Sequence, residues 1–159
     1  MSDFSSEIAA SAALYPQKLD IARDAVFLVR LSRDDYRKAS FLDDRVLKPG
    51  MEGRFRPYAE IEHAMEGAAR LQPLHFIFHS GHVGSTLLSR LIDETGTVLG
   101  LREPLPLRAL AEMQDSIAAT SPQLDARVET FLKLWRRGFA ETTNTILKAT
   151  SSSGRLALR

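Results

Sequence analysis

Residues 79–86, His-Ser-Gly-His-Val-Gly-Ser-Thr, are the part of the chain best suited to chemistry on an anion. Gly81 and Gly84 permit a sharp turn and a close approach of backbone to ligand. Ser85 and Thr86 open an amphipathic run in which Leu87, Leu88, Leu91 and Ile92 recur at helical spacing. The first amides of a helix have no intrahelical acceptor and attract oxyanions. A phosphate or sulfate group is therefore expected at Ser80, Gly81, His82, Val83, Gly84, Ser85 and Thr86. Lys148, which closes the run Thr145-Ile146-Leu147, has two readings: a cation at a strand end facing the same crevice, or a solvated strand-end lysine. Glu103-Pro104 reads first as the entry to a helix and second as a ligand contact. His79 reads as a strand-end residue, and a metal pair with His82 is disfavoured because no carboxylate lies nearby in sequence. Asp43-Asp44 is a formal candidate for a general base, but reads better as a solvent-facing helix start.

The elements that must position these residues follow from periodicity. Residues 5–14 predict a short helix stopped by Pro16, and Ala25–Leu31 a strand. Ser32 predicts an N-cap, with Asp34 and Asp35 in the first turn of a helix carrying Tyr36. Pro57 opens a helix running to about residue 70, and Gln72-Pro73 marks a break. From there the pattern is strand (74–78), glycine loop, helix to about Gly96, strand (97–101), helices over 105–118 and 123–141, and strand (145–148). Strands alternating with helices predict an α/β fold, a three-layer parallel sheet flanked by helices. Residues 1–70 are expected to form an N-terminal α/β extension and 71–159 the loop-bearing unit. Only three strands follow residue 71, fewer than a parallel sheet covered on both faces usually has. The expectation is an incomplete domain from a longer protein; the competing reading is a small domain completed by the Ala25–Leu31 strand.

Composition narrows the function classes. The chain has 159 residues, is 44% hydrophobic and 26% charged, and carries a net charge of +1. That charge gives no footprint for nucleic acid or for an anionic membrane. The absence of cysteine excludes disulfides, thiolate zinc sites and a cysteine nucleophile. No apolar run approaches the roughly 20 residues needed to span a bilayer, and the first residues lack the pattern of a secretory signal. A cytoplasmic location is the default expectation.

The loop departs from the nucleoside triphosphatase pattern G-x-x-x-x-G-K-[ST]: His79 stands at the first glycine and Ser85 at the lysine. It also lacks the G-x-G-x-x-G of dinucleotide folds. His82-Val83-Gly84-Ser85-Thr86-Leu87-Leu88 instead resembles the 5′-phosphosulfate loop of the sulfotransferase family, a basic residue followed by x-G-[ST]-T and apolar residues. Glu103-Pro104 and Ile146-Leu147-Lys148 fit bacterial members of that family, and the resemblance covers about residues 74–159. It implies a P-loop NTPase-like scaffold and a transferase moving a sulfuryl group from 3′-phosphoadenylyl sulfate to a hydroxyl or amine. It further implies that residues 80–86 bind the 5′-phosphosulfate, that His82 and Lys148 serve the reaction, and that no metal takes part. The family usually has Lys or Arg where this chain has His82. Imidazole has an unperturbed pKa of about 6.5 and is a weaker permanent clamp than guanidinium. Two alternatives stand beside this reading: a P-loop kinase or nucleotide-binding protein without the usual lysine, and a noncatalytic degenerate member. The sequence names neither the acceptor nor the oligomeric state.

Overall fold

A computed structural model describes residues 2–79, 83–116, 121–150, 153, 154 and 156. Its first half is built on an antiparallel sheet. α1 (Ser2–Ala10) leads into β1 (Leu14–Asp20), β2 (Ala25–Arg30), α2 (Arg33–Lys38), β3 (Gly53–Pro57) and α3 (Tyr58–Glu66), with strand order β1-β2-β3. The expected helix over 5–14 stops at Ala10, and Pro16 lies inside β1. Proline is tolerated there because β1 is an edge strand whose register shifts between Pro16 and Lys18. Tyr15, Pro16 and Gln17 are buried in succession at this irregularity, and Gln17 is satisfied by donating to Asp44 Oδ1 at 2.8 Å. β3 is an exposed edge paired antiparallel with β2, and Phe55 packs on Phe27 across the ladder with ring centroids 4.9 Å apart. The Ser32 cap forms as expected: its side chain accepts from Asp35 N, while the Asp35 carboxylate accepts from Ser32 N.

The second half is a parallel sheet. β4 (Leu74–Ile77), α4 (Ser85–Asp93), β5 (Val98–Arg102), α5 (Leu105–Ser116), α6 (Pro122–Trp135) and β6 (Asn144–Lys148) give the order β4-β6-β5. The α/β class with parallel strands thus stands. The Ala25–Leu31 strand does not complete this sheet; as β2 it is the centre of the antiparallel one. α6 ends at Trp135, short of the expected 141, and Phe139 N donates to the Thr142 hydroxyl in the turn that follows.

The two faces of the parallel sheet differ in what covers them. Leu99, Leu101 and Leu147 point into a core shared with α5 and α6 and with Ile8, Tyr15, Leu28 and Ile61 of the first half. On the other face, a side chain on Gly100 would meet Asp93 of α4 and the Arg102 guanidinium, so the glycine is what lets α4 lie close. α4 turns Ser85, Ser89 and Asp93 inward, while Leu87, Leu88 and Leu91 face outward. The inward side is polar because Asp93 is clamped between Arg33 (2.8 Å) and Arg102 (3.1 Å). Arg102 also donates to Ala39 O (2.8 Å), Arg37 O (3.1 Å) and Tyr36 O, closing the C-terminal carbonyls of α2.

Buried polar ties join the halves. Arg137 donates to Ile8 O, Ser11 O, Leu14 O and Leu134 O, all within 2.7–2.9 Å. Within the first half, Tyr36 Oη donates to Ala12 O and Tyr15 Oη to Leu42 O, each at 2.8 Å. Among the described residues no helix is long and apolar enough to cross a membrane.

Candidate anion site at the strand ends

Parallel strands deliver their C-terminal ends to one edge of a sheet, where ligands of open α/β folds gather. Ile77, Lys148 and Arg102 are in register across β4, β6 and β5. The ladder continues past them: Ala149 N donates to Ile77 O at 3.0 Å and Glu103 N to Lys148 O at 2.9 Å. His79, Glu103 and Lys148 are therefore brought together from three separate strands.

These three form a connected charge cluster. Lys148 is 2 % exposed, so its ammonium needs a partner. That partner is Glu103 Oε1, which also lies 3.7 Å from His79 Nε2. Glu103 remains partly open to solvent and has a left-handed backbone, φ 50°. A glutamate in that region is strained by about 1–2 kcal/mol. Such outliers concentrate at functional sites. Glu103, read from the sequence first as the entry to a helix, turns its carboxylate to Lys148.

The N-terminal half packs beside these strand ends. Leu42 N donates to Arg102 O at 2.7 Å and Leu105 N to Leu42 O at 3.1 Å, seating residues 41–43 beside the end of β5. Phe41 then lies under the Lys148 ammonium, 5.6 Å from its ring centroid, and Arg45 stacks on the same ring at 3.9 Å. Asp43 caps the short turn that follows, accepting from Arg45 N, and its carboxylate binds the Arg45 side chain. The hydrogen bond from Arg45 lowers the pKa of Asp43 and raises that of Arg45, so both stay charged. Asp43 is thus a cap and ion-pair partner, as its sequence context suggested. Phe41 and Arg45 carried no signal along the chain, because only the fold brings them to the strand ends.

The glycine loop rises from this edge. Gly84 adopts φ 77° as the residue before α4, a conformation glycine enters without strain. Leu88 N donates to Gly84 O at 3.0 Å, closing the first helical turn. Val83 and Gly84 are exposed, Ser85 is buried and Thr86 half-buried. Ser80, Gly81 and His82 lie outside the described residues. A broad open cleft of about 1510 Å³ lies elsewhere, against α1, β2 and β3. Two of its arginines are answered within it, Arg30 by Glu7 and Arg56 by Glu60. Comparisons of the chain with protein-family models, curated proteins and solved structures found no match.

Proposed function

We propose that the strand-end crevice binds the phosphosulfate of 3′-phosphoadenylyl sulfate and that the chain serves sulfuryl transfer on a P-loop-like scaffold. The observation that carries this reading is buried Lys148, held by Glu103 beside His79 where the loop before α4 begins. Gly84 and the amides that follow it offer an oxyanion the positive end of a helix. The nucleotide, when bound, supplies an activated sulfuryl group on a phosphate leaving group. Sulfuryl transfer then asks the protein to position the reactants and to neutralise charge building on the bridging oxygen. Lys148 answers the second need: an arriving anion competes with Glu103 for its ammonium. Glu103, relieved of that partner, is a carboxylate at hand for the proton of a hydroxyl or amine acceptor.

Titration calorimetry of the purified chain against adenosine 3′,5′-bisphosphate and ATP tests the reading. The bisphosphate is expected to bind at least tenfold tighter than ATP. Replacing the pair together, Lys148→Met with Glu103→Gln, avoids stranding a buried charge and is expected to weaken binding by tenfold or more. Preference for ATP would favour the kinase alternative. A folded chain that binds neither would leave the noncatalytic one.

A further inference from the structure

The parallel strands set an order across their C-terminal edge: β4, then β6, then β5. The glycine loop leaves β4 and Lys148 ends β6. Leu42, bonded to Arg102 O at 2.7 Å, ties residues 41–45 to the end of β5. Lys148 therefore stands between the loop and the Phe41–Arg45 segment. Its ammonium is 5.6 Å from the centroid of the Phe41 ring, and the Arg45 guanidinium stacks on that ring at 3.9 Å. One ring thus lies against two cations of different reach. Lys148 is 2 % exposed, whereas the Arg45 side chain is 63 % exposed.

Arg45 already holds a carboxylate. Its Nε and Nη2 donate to Asp43 Oδ1 and Oδ2 at 2.8 and 2.5 Å, the paired geometry a guanidinium offers a carboxylate. An exposed ion pair of this kind contributes little stability, so exchanging Asp43 for another carboxylate costs little. Asp43 has a second cation to turn to. The hydrogen bond from Arg45 is the chief cause of its lowered pKa, and the charge of Arg108 on α5 adds to it. Glu103 shares the same field: Asp43 is the chief cause of the raised pKa of Arg45, and Glu103 contributes. A ligand anchored on Arg45 therefore has the Glu103 carboxylate at hand.

We infer that Arg45 is a clamp for the acceptor, and that the acceptor is an acid: a hydroxyl or amine compound whose carboxylate takes the place of Asp43. The acceptor-side role of Arg45 rests on the proposed sulfuryl transfer, in which the nucleotide holds the loop side of Lys148. Charge-assisted, paired hydrogen bonds make a guanidinium select an acid over its neutral amide.

Phenylglyoxal modifies exposed arginines, and mass spectrometry reads the rate at Arg45 separately from the rates at exposed Arg23 and Arg54. 4-Hydroxyphenylacetate and glucuronate are each expected to slow modification of Arg45 at least fivefold, while their amides do not and Arg23 and Arg54 keep their rates. Asp43→Asn keeps an oxygen to cap the turn and removes the competing charge. It is expected to lower the concentration of either acid needed for protection at least threefold, whereas a purely structural Asp43 would raise it. Arg45→Gln is expected to weaken binding of 4-hydroxyphenylacetate at least tenfold by NMR titration, with an unchanged circular dichroism spectrum. Protection by the acids in a chain that does not bind adenosine 3′,5′-bisphosphate would support the carboxylate clamp and remove sulfuryl transfer. No protection by either acid, equal protection by acid and amide, or weaker protection in Asp43→Asn would overturn the role of Arg45, whether or not the nucleotide binds.

Discussion

Glu103 shows what residue types can and cannot tell in advance. A glutamate before Pro104 looks like the approach to a helix, and the sequence holds no sign that its carboxylate turns to Lys148. That contact depends on a backbone angle, φ 50°, which only the fold imposes. Lys148 itself was legible as a strand-end cation, because parallel strands all finish at one edge. Its burial was not, because that depends on Phe41, more than a hundred residues earlier in the chain. Asp35 is the opposite case: its place in the first turn behind the Ser32 cap was legible, and the structure adds the reciprocal bond. Lys48 and Ser32 bind its carboxylate and lower its pKa to about 2 from 3.8. With the folded pKa depressed, the unfolded chain takes up the proton first as pH falls. The stabilisation is complete above about pH 4 and lost as pH drops toward 2. Asp35→Asn is therefore expected to cost about 1 kcal/mol at neutral pH, with the two stability curves converging by pH 2. Urea melts across that range would show it, and a gap that persists in acid would mean the cap does not act through the carboxylate.

At the scale of elements, the parallel strands and α2 were readable because apolar runs and capping chemistry are local signals. β1 and β3 were not. β1 carries a proline that reads as a helix stop, and β3 (GRFRP) has almost no apolar alternation, because its side chains are mostly exposed. α4 was legible as a helix, but its orientation was not. The leucine stripe suggested a face for the core, whereas the structure seats the Ser85-Ser89-Asp93 side inward, drawn by Arg33 and Arg102. Burial lowers the pKa of Arg102, and the hydrogen bond it donates to Asp93 acts against that shift. Removing one member of a buried pair strands the other. Asp93→Ala is expected to destabilise the chain by about 3 kcal/mol or more, and Asp93→Asn, which keeps a hydrogen-bond acceptor, by clearly less. Equilibrium denaturation separates the two; a cost below about 1 kcal/mol for the alanine variant would show that the clamp does not hold α4.

At the scale of the whole molecule, the chain on both sides of residue 71 contributes to one core, with Ile8, Tyr15 and Ile61 beside Leu110, Phe131 and Leu147. The composition break at Gln72-Pro73 signals a change from antiparallel to parallel pairing, and nothing local to that break reports which buried faces meet. Arg137 is the clearest joint. Burial lowers its pKa to about 10, still far enough above neutrality to keep the guanidinium charged, and carbonyls from α1 and the approach to β1 receive it. Deleting residues 2–10 removes Ile8 and part of that acceptor set. The expected result is loss of the cooperative thermal transition by circular dichroism, and retention of a normal melt would show that α1 is dispensable. The same joint has a consequence for the order of events during synthesis. Ile8 and Arg137 are 129 positions apart, so α1 must wait, its last turn unanswered, until Arg137 has emerged from the ribosome. Maturation of α1 is thereby timed by the translation of α6 and the residues just beyond it.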